Sequence, residues 1–160
     1  MGTIIDSQNL HKLRDRKKAG HKLILTGGSF DILHTGHIEF LRRAKDLGDE
    51  LLVLLEPDEK IRKIKGENRP VNTQKDRAII LSNLPMVSYV HPLKNSGSNE
   101  DYEILVKTIQ PDIIALTESD SVFEWEKALE NQGILKIVKV MHRIPNHSTT
   151  QLITQNKHKL

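Results

Sequence analysis

Five short apolar runs, rich in isoleucine, leucine and valine, are spaced along the chain and predict the strands of a β-sheet. The runs are Lys22 to Thr26, Glu50 to Leu55, Val87 to His91, Asp112 to Leu116 and Leu135 to Val140. Their near-continuous apolar character is typical of parallel strands that helices cover on both faces. The pattern therefore favours an α/β fold with a parallel five-stranded sheet.

Between these runs, apolar residues recur at intervals of three and four, as they do on one face of an α-helix. The segments are His37 to Leu47, Thr73 to Leu84, Asn99 to Ile109 and Ser121 to Gly133. Strand and helix thus alternate, which predicts a doubly wound sheet with right-handed crossovers. A further amphipathic helix is expected within residues 1–20, from Ser7 to Gly20, with a packing role.

The length of the chain suits a single domain, residues 1–160, with one hydrophobic core and a basic tail at residues 155–160. The absence of cysteine excludes disulfides and thiolate metal sites. No apolar run approaches the roughly 20 residues that a membrane-spanning helix needs, and none suggests a signal peptide. We therefore expect a cytoplasmic protein with no membrane partner.

The charge of the chain argues against a nucleic-acid partner. A net charge of +3 with an aromatic content of 4% is a weak indication of nucleic-acid binding. Basic residues nevertheless cluster from Arg14 to Lys18, from Ile61 to Arg69 and in the tail. The first and last clusters are interpreted as solvated surface. The middle cluster follows the end of a predicted strand, where α/β enzymes bind ligands.

The segment GGSFDILHTGHIEF, which follows the first predicted strand, is the strongest indication of a ligand site. Gly27 and Gly28 let backbone N–H groups approach a phosphate, although their spacing matches neither the dinucleotide-binding fingerprint nor the P-loop. His34 and His37 stand at the start of a helix, where unpaired N–H groups and the helix dipole favour an anion. A capping histidine explains one ring only, and a metal pair lacks an evident third ligand, so no metal-binding residue is predicted.

The same segment resembles the H-x-G-H motif of the cytidylyltransferase-like nucleotidyltransferases, which have a Rossmann-like fold. The string KIKGENRPVNTQKDRAIIL, from Lys63 to Leu81, is most similar to the heptose-1-phosphate adenylyltransferases. The string HRIPNHSTTQLI resembles the closing segment of the family. The three motifs occur in the order that the family shows, and the similarity runs from about Leu10 to Ile153.

The resemblance implies transfer of a nucleoside monophosphate from a nucleoside triphosphate, with Mg²⁺ as cofactor, to a phosphorylated small acceptor. The favoured reaction transfers AMP from ATP to a sugar 1-phosphate such as D-glycero-D-manno-heptose 1-phosphate and releases pyrophosphate. Alternatives are a CTP-dependent enzyme that acts on glycerol 3-phosphate or a related alcohol phosphate, an FMN adenylyltransferase, and a nucleotide-binding module without turnover. Because family members are often dimers, a homodimer through residues 61–90 is an expectation as well.

Roles for individual residues also follow from the resemblance. Four residues are assigned to catalysis, namely His34, His37, Lys65 and Arg77. Eleven are assigned to nucleotide binding, namely Gly28, Ser29, Phe30, Asp31, Gly36, Lys63, Thr117, Arg143, Ser148, Thr149 and Thr150. In the family the serine and threonine run opens the last helix beside the nucleotide phosphates.

Several of these roles have a structural alternative. Asp31 either helps to hold Mg²⁺ or fixes its loop. Lys63 and Lys65 either close over the phosphates from an irregular loop after the second strand or are simply exposed. Arg77 either holds a phosphate or pairs with an acid on its helix, such as Asp76.

The segment ALTESDSVFEW, from Ala115 to Trp125, departs from the family pattern. The heptose enzymes carry a lysine followed by Gly-Gly-Asp after the fourth strand, and the glycerol-phosphate enzymes carry Gly-Asp-Asp. Here side-chain bulk and acidic residues replace the glycines, which puts the preferred base and the acceptor in question. Phe123 and Trp125 are interpreted as core residues of a helix, with contact to a base as the alternative for Trp125.

Overall fold

A parallel β-sheet forms the centre of the computed structural model, which describes residues 1–94 and 98–142. Within those ranges the sheet has six strands, β1 (Thr3–Ile4), β2 (Leu23–Gly28), β3 (Glu50–Leu55), β4 (Tyr89–Pro92), β5 (Ile113–Thr117) and β6 (Lys136–Met141). Their order is β1-β4-β3-β2-β5-β6. From β4 to β6 this is the order of a doubly wound, Rossmann-like sheet, which confirms the predicted fold class.

Helices cover both faces of the sheet, as the apolar pattern predicts. They are α1 (His11–Lys18), α2 (Thr35–Lys45), α3 (Asp58–Lys65), α4 (Gln74–Ser82), α5 (Asn99–Ile109) and α6 (Glu124–Asn131). Residues of α2 and α4 form one core cluster with the sheet, and residues next to or within α1, α5 and α6 form the other. In β3, Leu51, Val53 and Leu55 belong to the first cluster, whereas Leu52 and Leu54 belong to the second. This alternation is expected of a strand that is buried on both faces.

The prediction of five strands is wrong by one, because β1 adds a sixth at the edge of the sheet. β1 pairs in parallel with β4, with Thr3 opposite Tyr89 and Ile4 opposite Val90. A two-residue strand is held by backbone hydrogen bonds and is too short to produce an apolar pattern. The helix predicted from Ser7 to Gly20 is also shorter than expected and is limited to His11–Lys18.

The prediction that Lys63 and Lys65 lie in an irregular loop is also wrong, because both belong to α3. This helix has Asp58 and Glu59 in its first turn and basic residues in its last turn, an arrangement that the helix dipole favours. Its two apolar residues, Ile61 and Ile64, are three positions apart and only Ile61 is buried, so the apolar pattern is too short to identify the helix in the sequence. Its charge pattern is the signal that was available.

Two further expectations concern membrane-spanning helices and the basic tail. None of the helices in the described ranges is long and apolar enough to cross a lipid bilayer. The predicted basic tail, residues 155–160, lies outside the described residues.

The stability of the fold is expected to depend on pH through His91, which is buried in β4. Its Nδ1 atom lies 2.8 Å from the carbonyl oxygen of Ile5 and can donate a hydrogen bond to it. Burial lowers the pKa of His91 below the ordinary value of 6.5. The unfolded chain therefore takes up a proton more readily, and stability that is present above this value is lost as the pH falls below it.

We expect the thermal unfolding midpoint to fall as the pH is lowered from about 7 to about 5.5, and to fall less in the His91→Asn variant. Asparagine can still donate to Ile5 but does not titrate. The matched control is His11→Asn on the exposed surface of α1, which should keep the wild-type pH slope. A pH slope in His91→Asn as steep as that of the wild type would show that another group is responsible.

Candidate active site

A cavity of about 300 Å³ opens at the C-terminal edge of the sheet, next to the boundary between β2 and β5. The strand order reverses at this boundary, which is where ligands bind in open α/β sheets. Seven predicted site residues, from the last residue of β2 to the first turn of α2, line the cavity, namely Gly28, Ser29, Phe30, Asp31, His34, Gly36 and His37. Lys65 from the end of α3 and Thr117 from the end of β5 also line it. The structure thus brings together residues that are distant in the sequence.

The two histidines form a stacked pair at the beginning of α2. His34 is the N-cap residue and His37 lies in the first turn, with ring centroids 3.7 Å apart and ring planes inclined by 24°. The first turn of α2 contains no acidic residue. Exposed N–H groups and the positive end of the helix dipole favour an anion at this position. Two imidazoles beside it add donors that can bind phosphate oxygens.

The ring of Phe30 packs against His37, one member of the histidine pair. Its buried ring lies with its centroid 5.3 Å from that of His37, and its φ angle of 43° is rare for a residue with a side chain. A Cβ atom on Gly28 would lie 2.8 Å from the Phe30 ring, so a larger residue would displace it. Gly28 is therefore needed to let Phe30 pack against His37.

Asp31 fixes the loop, which is the second of the two predicted alternatives. Its buried carboxylate accepts hydrogen bonds from Arg69 Nε at 2.6 Å and from the backbone N–H groups of Val71 and Asn72 at 2.8 and 3.1 Å. The side chain of Asn72 in turn donates to the Asp31 carbonyl oxygen. Both carboxylate oxygens thus have partners within the chain, as expected of a residue that fixes its loop, and a contact of Asp31 with Mg²⁺ stays a prediction.

Arg77 lies outside the cavity, contrary to the role in direct phosphate binding predicted for it. Its side chain is completely buried and donates to the carbonyl oxygens of Ser29, Glu56 and Asn72. It also forms an ion pair with Asp58, at 2.7 Å, rather than with Asp76. With these acceptors in place the guanidinium group connects three loops. Arg77 thus supports the site without lining it.

The two lysines of the basic cluster differ in their surroundings. Lys63 is exposed and forms an ion pair with Glu59 at 2.9 Å, away from the cavity lining. Lys65, one half-turn further along α3, lines the cavity. Lys65 therefore has the position expected of a phosphate-binding residue, and Lys63 has the exposed position named as its alternative.

The loop that departs from the family pattern forms one wall of the cavity. Asp120 closes a turn by accepting a hydrogen bond from the Thr117 backbone at 2.7 Å, and Ser119 contacts the Thr117 hydroxyl at 3.1 Å. Lys139 on β6 donates to the carbonyl oxygens of Thr117 and Asp120. Lys139 was not predicted as a site residue, nor were Met141 and His142, which line the cavity beside this loop. For Lys139, its position inside an apolar strand was the available signal in the sequence.

Four of the predicted nucleotide-binding residues, Arg143, Ser148, Thr149 and Thr150, lie outside the described residues. Their roles stay predictions. Among the residues that the structure does describe, no group of three or more histidine, aspartate and glutamate side chains fits a metal ion.

The chain is similar to curated proteins along most of its length. The bifunctional protein HldE of Wolinella succinogenes is 33% identical over 151 residues, which cover 94% of this chain and 30% of the relative. The bifunctional protein HldE of Campylobacter concisus is 37% identical over 142 residues, which cover 88% of this chain and 28% of the relative. The chain thus spans less than a third of these curated relatives.

Two solved structures share the fold. A lipopolysaccharide core biosynthesis protein from Thermoplasma volcanium superposes with a TM-score of 0.63 at 31% identity, over 76% of this chain and 97% of that one. Pantoate-beta-alanine ligase from Francisella tularensis superposes with a TM-score of 0.58 at 18% identity, over 98% of this chain and 77% of that one, which shows the fold alone. A family model described as cytidylyltransferase-like matches residues 25–155. The chain therefore belongs to the cytidylyltransferase-like family of nucleotidyltransferases.

Proposed function

We propose that this chain transfers AMP from ATP to a sugar 1-phosphate, such as D-glycero-D-manno-heptose 1-phosphate, and releases pyrophosphate. The observation that carries the proposal is the stacked pair of His34 and His37 at the N-terminus of α2, in a cavity at the switch point of the sheet. The identity of 33 to 37% with two HldE proteins and the KGENRPVN string support a sugar phosphate as acceptor.

The arrangement suits a single displacement at the α-phosphorus. An oxygen of the acceptor phosphate forms the new bond, and the bond to the oxygen that bridges the α- and β-phosphates breaks. Pyrophosphate leaves with the electron pair, and the attacking anion needs no general base. The groups that His34, His37, Lys65 and the α2 N-terminus present to the cavity can offset the negative charge that accumulates, so positioning and electrostatics supply the catalysis.

The preferred base and the cofactor belong to the same proposal. Ser119 and Asp120 line the cavity where the family has glycines, so CTP with glycerol 3-phosphate is the main competing pair of substrates. We propose that Mg²⁺ accompanies the triphosphate, which offers the phosphate oxygens that this ion prefers. Omission of Mg²⁺ is then expected to abolish turnover.

We also propose that the protein forms a homodimer through residues 61–90. Four apolar side chains in this segment are exposed, namely Ile64, Val71, Ile79 and Ile80. A contiguous apolar patch is typical of interaction surfaces, and a homodimer through this segment would remove these side chains from water. Sedimentation of the purified protein as a monomer at the concentration of the activity assay would contradict this proposal.

The test of function is a panel of reactions in which released pyrophosphate is measured. The protein with Mg²⁺ is mixed with ATP or CTP, and with heptose 1-phosphate, glycerol 3-phosphate or no acceptor. We expect pyrophosphate from ATP with heptose 1-phosphate and none without acceptor. Release from CTP with glycerol 3-phosphate alone would favour the competing reaction. Nucleotide binding without pyrophosphate from any pair would favour a binding module.

A further inference from the structure

A second cavity, of about 280 Å³, lies across the sheet edge from the candidate active site, and we call it the α5–α6 cavity. Its walls include Tyr102 from α5, Phe123 and Trp125 at the start of α6, and Glu56 directly after β3. Gly27, Gly28 and Asp120 line both this cavity and the active-site cavity. The two cavities therefore adjoin at the end of β2.

The glycines at the end of β2 leave this boundary open. Neighbouring residues of a strand face opposite sides of the sheet. A Cβ atom on Gly27 would lie 3.4 Å from the Tyr102 ring, on the α5–α6 side, and one on Gly28 would lie 2.8 Å from Phe30, on the active-site side. No side chain of these two residues stands between the cavities, so one molecule can extend from one cavity into the other.

Two buried polar atoms in the lining of the α5–α6 cavity have no hydrogen-bond partner among residues 1–94 and 98–142. They are Glu56 Oε2 and Trp125 Nε1. The other oxygen, Glu56 Oε1, accepts from Tyr102 Oη at 2.5 Å and from Lys60 Nζ at 2.8 Å. Burial raises the pKa of Tyr102, with the charge of Glu56 as a second cause, so the phenol keeps its proton and remains the donor. Glu56 Oε2 can therefore accept a hydrogen bond from a ligand, and Trp125 Nε1 can donate one. Buried polar groups of this kind are usually paired.

The remaining groups of the lining indicate which part of an acceptor fits there. Acidic side chains outnumber basic ones, because Glu56, Asp120 and Glu126 face a single lysine, Lys60. A phosphate is disfavoured in such surroundings and is favoured beside the histidines on the other side of β2. Phe123 and Trp125 are nearly coplanar, with 7° between their ring planes and 6.2 Å between their centroids, and offer a flat apolar face.

We propose that the α5–α6 cavity binds the hydroxylated carbon skeleton of the acceptor, with Trp125 Nε1 donating to and Glu56 Oε2 accepting from its hydroxyl groups. This proposal rests on the proposed function, because the acceptor phosphate must reach the active-site cavity. A hydroxyl group both donates and accepts, so a polyol satisfies both unpaired atoms. An ammonium group has no acceptor and would leave Trp125 Nε1 unpaired. The C–H faces of a sugar can pack on the aromatic rings.

The first test uses intrinsic fluorescence, because Trp125 is the only tryptophan in the sequence. Heptose 1-phosphate is titrated into the protein without nucleotide, and a saturable change in emission is expected. ATP alone should leave the emission unchanged. The titration needs no turnover, so it tests the cavity even if the pyrophosphate panel is negative. No response to heptose 1-phosphate, or a saturable response to ethanolamine phosphate alone, would overturn the proposal.

The second test uses variants in the pyrophosphate assay. Trp125→Phe keeps an aromatic ring without the N–H group, and Glu56→Gln keeps the shape without the charge. We expect each to raise the KM for heptose 1-phosphate about tenfold and to leave the KM for ATP unchanged. The matched control is Glu124→Gln, at the position before Trp125. The side chain of Glu124 is 91% exposed, so this variant should behave as the wild type.

The outcomes of these experiments are separable. A rise in the KM for ATP rather than for the acceptor would show that the α5–α6 cavity holds the base, which overturns the inference but not the proposed function. A fluorescence response with no pyrophosphate from any pair would contradict the proposed function but support binding of the sugar phosphate. Equal thermal midpoints of the variants and the wild type exclude unfolding as the cause of a changed KM.

Discussion

The His37→Ala variant is expected to turn over about 10²- to 10³-fold more slowly than the wild type, the cost of removing one donor that stabilises developing charge. The KM for ATP should change only a few-fold, because the other phosphate-binding groups remain. His37 lies in the first turn of α2, stacked on His34 and against Phe30. Steady-state kinetics with ATP and heptose 1-phosphate give both parameters.

The control for this prediction is a histidine outside the site. His11→Ala changes an exposed residue of α1 and should leave kcat and KM unchanged. A loss in His37→Ala that appears in KM alone would mean that the ring binds the substrate without favouring the transition state. Wild-type activity in the variant would remove His37 from the catalytic machinery.

Among the variants considered, removal of the Asp31 carboxylate should lower the free energy of unfolding most. The Asp31→Ala variant leaves the buried guanidinium group of Arg69 without its partner, which typically costs about 3–5 kcal/mol. It also leaves the N–H groups of Val71 and Asn72 without their acceptor. We expect chemical denaturation to show a decrease of this size in the free energy of unfolding.

A double variant separates the charge from the loss of packing. Asp31→Ala combined with Arg69→Met leaves neither charge buried alone, so it should be more stable than Asp31→Ala itself. Glu103→Gln, which breaks an exposed ion pair with Lys107, is the control and should leave the unfolding midpoint close to that of the wild type. A double variant that is less stable than Asp31→Ala would show that the pair is not the source of the effect.

The sequence predicted the elements whose hydrophobic pattern is set by burial. β3 is buried throughout, and its uninterrupted apolar run identified it. β1 and α3 escaped prediction for different reasons. β1 is held by backbone pairing with β4, and α3 buries only Ile61, so the apolar pattern of each is too short to identify the element.

The candidate site could be predicted where its residues are adjacent in the chain. His34, Gly36 and His37 lie in one motif, so the sequence alone placed them at one helix end. Arg77 shows the limit, because the carbonyl groups that surround it belong to residues from distant segments. Only the folded chain shows that these acceptors meet around its guanidinium group.

The α5–α6 cavity illustrates the same limit. Glu56 follows β3 and Trp125 lies in the first turn of α6, and neither residue belongs to a recognisable motif. The sequence offered core packing or contact with a base as the interpretations of Trp125. The structure places Trp125 on the opposite side of the sheet edge from the histidine pair, which changes the part of the substrate that it is proposed to contact.

The most direct test of the proposed reaction is ³¹P NMR of the wild-type protein with Mg²⁺, ATP and heptose 1-phosphate. Attack at the α-phosphorus predicts free pyrophosphate and, in equal amount, a new diphosphate in which AMP is joined to the sugar phosphate. The appearance of ADP and inorganic phosphate would place the cleaved bond at the γ-phosphorus instead. That result would contradict the account of the histidine pair as a site for nucleotidyl transfer.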